Sequence, residues 1–94
     1  MQALLHVTTA PAWESAQAAH GCEPPEGGFI HLCTPEQLAF VLARHFAGRT
    51  GLLVLHLDPA GLDVRWEMSE PGMAPFPHLY GRLPVAAIRR VEPV

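Results

Sequence analysis

Apolar positions in this chain recur with two different periods, and the alternation between those periods sets out its elements. Residues 3–8 alternate, with Ala3, Leu5 and Val7 on one face and Leu4, His6 and Thr8 on the other, which predicts an opening strand. Thr9 can cap a helix that carries Pro11 in its first turn, where the missing N–H costs little; that helix is expected to reach about Ala19, with Gly21 just past its end. Residues 22–28 are rich in proline and glycine and read as a loop. A second short strand is predicted over 29–32.

The next signal is the clearest in the chain. Thr34, Pro35 and Gln37 supply an N-cap, a proline at the first helical position and a glutamine three residues past the cap, the composition of a capping box. Leu38, Val41, Leu42, His45 and Phe46 then follow helical spacing, and Gly48 supplies a stop. Residues 52–57 form a nearly unbroken apolar run of strand length, which predicts a central strand buried on both faces. Asp58, Pro59 and Gly61 fit a type I turn, and a further strand is expected over 62–66. Residues 67–78, with Pro71, Pro75 and Pro77, read as a long irregular loop. A turn at Pro84 and a closing strand near 87–91 end the chain. Helices confined to the first half and strands dominating the second predict one α+β (mixed α/β) domain over residues 1–94, not a doubly wound parallel one.

Composition narrows the function classes. With 94 residues, 49% of them hydrophobic, one core can form without disulfides. Only 16% of residues are charged, which leaves apolar surface for a cleft, a partner or a self-interface. The net charge is −3, and the six basic residues are scattered arginines, so no extended nucleic-acid surface is expected. No apolar run reaches the ~18–20 residues that cross a bilayer, and no signal peptide precedes the first strand. Cys22 and Cys33 read as reduced thiols of a cytoplasmic protein.

Chemistry centres on six histidines. His20 and His45 sit at predicted helix ends, where they complement the helix dipole, and His56 reads as a core residue. His6 and His31 are different, because each lies near a strand end that leads through Thr8 or Thr34 into a helix cap. Such corners expose backbone N–H groups to polar ligands. A late group adds Trp66 and Glu67 at a strand end, then Phe76, His78 and Tyr80, together able to line a small-molecule site. A competing reading takes His20, Cys22, His31 and Cys33 as metal ligands, but the usual zinc spacings are missing and no metal is expected. Cys33 precedes a helix cap without a demonstrable histidine partner, and Ser15 and Ser69 lack a nucleophile-elbow setting.

These motifs, in this order, resemble a small bacterial family called domain of unknown function nine-five-two. The residues that carry the likeness are Leu5 to Thr8, Gly28 to Gln37, Asp58 and Pro59, Val64 to Glu67, and Phe76 to Gly81. The family is in turn similar in its motifs to the ADP-ribosyltransferase-like fold, in particular its RNA 2′-phosphotransferase branch. That resemblance implies a pair of small curved sheets with two early helices and NAD in the cleft. It implies His6 and Thr8 at a ribose, His31 as the second-strand histidine, and Glu67 as the candidate carboxylate. The arginines that flank the histidines in that branch are replaced here by Leu5 and Ile30, so the resemblance does not extend to phosphate capture. Three readings follow: ADP-ribose transfer with His31, Glu67 and His78 catalytic and His6, Thr8, Thr34, Trp66 and Tyr80 binding; a non-catalytic nucleotide or small-metabolite module; and the His/Cys metal site.

Overall fold

The computed structural model describes residues 3–68 and 70–94; Ser69 lies outside them. Among the described residues, eight strands and two helices follow in the order β1 (Leu4–Thr9), α1 (Ala10–Ala18), β2 (Gly21–Cys22), β3 (Ile30–His31), α2 (Leu38–His45), β4 (Leu52–Leu57), β5 (Val64–Glu67), β6 (Phe76–Leu79), β7 (Leu83–Pro84) and β8 (Ile88–Pro93). Every strand pair is antiparallel. The expected α+β class holds, with both helices in the first half. Three small sheets form where a pair was expected: β1-β4-β8, β3-β6-β5 and the two-stranded β2-β7.

The apolar run 52–57 does become a central strand. β4 pairs with β1 from Leu4↔Leu57 to Thr9↔Leu52 and with β8 on its other side, where a bulge lets Arg89 slip out of register. Leu55 and Leu57 are fully buried. Each such leucine contributes roughly 1.5–3 kcal/mol relative to an exposed one. On β1, Leu4 joins Ile30, Leu32, Leu57, Leu79 and Leu83 in one core cluster, while Leu5 joins Cys33 and Val54 in another. β1 therefore has apolar contacts on both faces.

Both three-stranded sheets meet at one point. Leu5 N–H donates to the Cys33 carbonyl and Cys33 N–H donates to the Leu5 carbonyl, both at 2.8 Å. This reciprocal pair joins the open edge of β1 to the chain just beyond β3, so six strands run as β8-β4-β1-β3-β6-β5.

Local signals were obeyed with two shifts. Thr9 Oγ1 accepts from Ala12 N–H and caps α1. The left-handed residue after α1 is His20, at φ 62°, not Gly21. Gly21 is needed for space instead, since a Cβ there would stand 2.7 Å from Arg82 Nε and 2.8 Å from the Leu83 carbonyl. The Thr34 capping box forms in full, opening a single 3₁₀ turn (Pro35–Gln37) that leads into α2. Gln37 also donates from Nε2 to the Pro75 carbonyl, tying the cap to the late segment.

Residues 67–78 depart most from expectation. Their end is β6, the middle strand of its sheet, paired with β3 through His31↔His78 and with β5 through Glu67↔Phe76. Pro77 is tolerated because its missing N–H would face Leu32, past the end of β3; its carbonyl still accepts from Leu32 N–H at 3.1 Å. The predicted turn at Pro84 is β7 followed by a 3₁₀ turn (Val85–Ala87), and the predicted loop 22–28 begins inside β2. Among the described residues no helix is long and apolar enough to cross a membrane.

Because Thr34 Oγ1 and Gln37 Oε1 satisfy two donors at the start of this turn, Thr34→Ala is expected to lower unfolding stability by about 1 kcal/mol. Urea denaturation checks this; an unchanged midpoint would show that the cap contributes nothing.

Candidate functional site

The period of β6 places the candidate side chains. His78 pairs with His31 on β3 and with Arg65 on β5, and residues directly opposite in an antiparallel pair share a face. Phe29 and Tyr80, two residues from His31 and His78, fall on that face too, as does Glu67. The opposite face carries Ile30 and Leu79 into the core. A two-residue repeat thus separates the chemistry from the packing.

The rings on this face touch. Phe29 stacks on His78 with centroids 4.0 Å apart, and meets His31 edge-on at 4.8 Å. His31 and His78 lie 5.4 Å apart, nearly perpendicular. The guanidinium of Arg65 covers the Tyr80 ring at 4.2 Å. His6 arrives from the other sheet, its Nδ1 2.8 Å from the His31 carbonyl. His6, His31 and His78, distant in sequence, are thereby gathered beside one cavity of about 480 Å³. Phe40, Val41 and His45 of α2 line the same cavity, as do Met73 and Phe76.

Hydrogen bonds set the protonation of two of these imidazoles. A carbonyl only accepts, so His6 Nδ1 must donate to His31, leaving Nε2 as a lone-pair acceptor. Burial pushes the His6 pKa below the usual histidine value, opposed in part by that bond, and His6 stays neutral near pH 7. His31 is lowered as well, first by burial and then by His78, His45 and His6 around it. His78, only 4% exposed, has Nδ1 2.8 Å from Glu67 Oε1. The same oxygen accepts from the Tyr80 hydroxyl at 2.6 Å. The Tyr80 bond, then the His78 bond, hold the Glu67 carboxyl below its ordinary value, so it is an ionised acceptor. His78 Nδ1 is therefore the donor in that bond, and Nε2 is the other ring nitrogen.

The remaining sequence candidates are placed apart. Thr34 is buried and its hydroxyl is occupied by the cap. Thr8 is half-buried on β1 and does not line the cavity. Trp66 is 50% exposed and also lies outside the lining, as do Glu67 and Tyr80, which stand behind His78. His45, which the sequence assigns to a helix end alone, faces the cavity as well; its place in the apolar stripe of Leu38, Val41 and Leu42 was the available signal. His56 is half-buried and bonded to Glu92. The four proposed metal ligands do not converge, and among the described residues no three His, Cys, Asp or Glu side chains could hold an ion. Cys33 is buried with its thiol pushed up to about 11, which makes it inert as a nucleophile at neutral pH.

Two measurements follow from these bonds. His6 has a folded-state pKa below its unfolded value, so the unfolded chain takes up the proton first. Its contribution to stability is complete above about pH 6.5 and is lost as the pH falls toward the lower folded value. His6→Asn keeps a donor for the His31 carbonyl but does not titrate, and is expected to flatten this part of the stability–pH curve. Equal slopes in variant and wild type would refute the assignment. Tyr80 is the one tyrosine of the chain, and its bond to Glu67 raises its pKa. Absorbance titration of tyrosinate should therefore show Glu67→Gln ionising at lower pH than wild type.

Comparison with known proteins agrees with the motif reading at the family level. No curated protein matches this chain. The crystal structure of protein CC0527 from Caulobacter crescentus is similar over 97% of this chain and 84% of its own, at 32% identity and a TM-score of 0.85. The solution structure of CC0527 gives 33% identity and a TM-score of 0.84 over 100% of this chain and 85% of the other. A family model described as protein of unknown function (DUF952) matches residues 7–91, and the chain belongs to that family.

Proposed function

We propose that this protein binds a small molecule joining a flat ring to a hydroxyl-bearing sugar, such as a nucleoside or the nucleoside end of an NAD-like nucleotide. The observation that carries this reading is the convergence of His6, His31 and His78, with Phe29 stacked on His78, at one cavity. Neutral imidazoles with a free lone pair accept hydrogen bonds from sugar hydroxyls, and the aromatic lining supplies a surface for a ring. The cavity volume of about 480 Å³ lies within the range of small-molecule sites. Two cysteines without a disulfide support residence in the reducing cytoplasm.

Binding is supported better than transfer of ADP-ribose. Transfer calls for a carboxylate facing the developing ribosyl cation. Glu67 is already engaged by His78 and Tyr80 and stands outside the lining. The group the cavity offers to proton chemistry is His78 Nε2, backed by the Glu67 carboxylate in the manner of a carboxylate–imidazole base.

Thermal unfolding with NAD, ADP-ribose, adenosine and nicotinamide riboside tests the reading. Saturating ligand is expected to raise Tm by roughly 4–8 °C per kcal/mol of binding linkage for a chain of this size. The exposed His31 can be replaced with little risk to the fold, and His31→Ala is expected to abolish the shift. If none of the four compounds moves Tm, the reading fails.

A further inference from the structure

Charge around the cavity is distributed unevenly, and the unevenness bears on what enters it. The arginine that lines the cavity is Arg44 on α2, and its guanidinium is held at 2.6 Å by Glu70. Arg82 is also committed, to Glu23 and to the Ala19 carbonyl. Glu23 and Glu70 themselves line the cavity. The walls thus present two carboxylates, Glu70 paired with Arg44 and Glu23 with Arg82, and no uncommitted guanidinium among the described residues.

Nδ1 of His6 and Nδ1 of His78 are spent on a carbonyl and a carboxylate, so these two rings leave only Nε2 to a ligand. His31, whose affinity for a proton is lowered, keeps one ring N–H as an uncharged donor. A phosphate placed here would find two carboxylates nearby and no uncommitted guanidinium for a bidentate grip. Sugar hydroxyls and amide N–H groups would instead find imidazole nitrogens, and a ring would find aromatic faces.

We propose, building on the ring-and-sugar reading above, that the site selects the unphosphorylated form of its ligand: a neutral or cationic nucleoside, with any phosphate excluded from the cavity. The Arg44–Glu70 pair enforces the selection. Glu70 supplies repulsion and at the same time removes the cation that would otherwise attract a phosphate, a use of unfavourable contacts to reject a close analogue.

Calorimetric titration of the full chain at pH 8 with two matched pairs tests this: nicotinamide riboside against its 5′-monophosphate, and adenosine against AMP. Each nucleoside is expected to bind at least about tenfold more tightly than its monophosphate, the effect of one unfavourable charge contact. Glu70→Gln frees Arg44 and is expected to narrow that gap, mainly by tightening the monophosphate. Monophosphates binding as well as nucleosides, or better, overturn the proposed selection and leave the ring-and-sugar reading standing. A gap that Glu70→Gln leaves unchanged overturns the role of the Arg44–Glu70 pair and the proposal with it. Failure of all four compounds removes the ring-and-sugar reading itself.

Discussion

The reciprocal pair of hydrogen bonds between Leu5 and Cys33 is the constraint on which the arrangement of the rest depends. Each three-stranded sheet could close its own ladder alone, but each would keep an open edge with unpaired N–H and C=O groups. The bridge satisfies one residue on each edge and fixes where β1 crosses the end of β3. That crossing sets the position of His6, one residue beyond Leu5, and allows its Nδ1 to reach the His31 carbonyl two residues before Cys33. The histidine contact is therefore an extension of the backbone contact. Buried Leu5 and Cys33 surround the bridge with apolar atoms, where water competes poorly for its hydrogen bonds.

A division of labour on β6 follows from strand geometry. With a period of two, Leu79 turns into the core while His78 turns toward the cavity. The strand is short and holds two prolines within or beside it, yet its middle position in the sheet makes His78 the meeting point of β3, β5 and the aromatic rings. A buried imidazole needs a partner for its N–H, and Glu67 meets that need from the adjacent strand β5. Tyr80 shares the same carboxylate oxygen, so His78 is oriented by a small network and not by a single bond.

Much of the first half of the fold was legible in the sequence because its signals are local. The Thr34–Gln37 capping box, the Thr9 cap and the apolar run of β4 each depend on neighbours within a few residues, and each formed as read. Of the late strands, β5 and β8 stand near the positions the sequence predicts, but β6 was not legible, for the opposite reason. Phe76–Leu79 carries proline and lies among turn formers, so its local propensity argues for loop; pairing with β3 and β5, supplied from distant sequence, overrides it. β2 and β7 have two residues each and no period to detect. The site shows the same split. His6, His31 and His78 were identified as candidates from residue type and setting, but their meeting depends on the Leu5–Cys33 crossing, which no local pattern encodes. His45 was set aside for its place near a helix end, although it also continues the apolar stripe of α2, and the stripe is what faces the cavity.

Placing Glu67 behind His78 changes the chemistry that the same two residues would have in the reverse order. A carboxylate at the cavity wall would confront the ligand as a fixed negative charge and would favour a developing cation. An imidazole at the wall, with the carboxylate behind it, presents an uncharged acceptor whose lone pair is held in one direction. It can take a proton and, once charged, is stabilised by the carboxylate it already touches. Burial lowers the affinity of both His6 and His31 for a proton, and the imidazoles of His78, His45 and His6 lower that of His31 further. His78, alone among the three, has an anionic carboxylate bonded to its ring. That His78 lines the cavity while Glu67, bonded to it and to Tyr80, does not is a matter of geometry that sequence motifs alone could not distinguish.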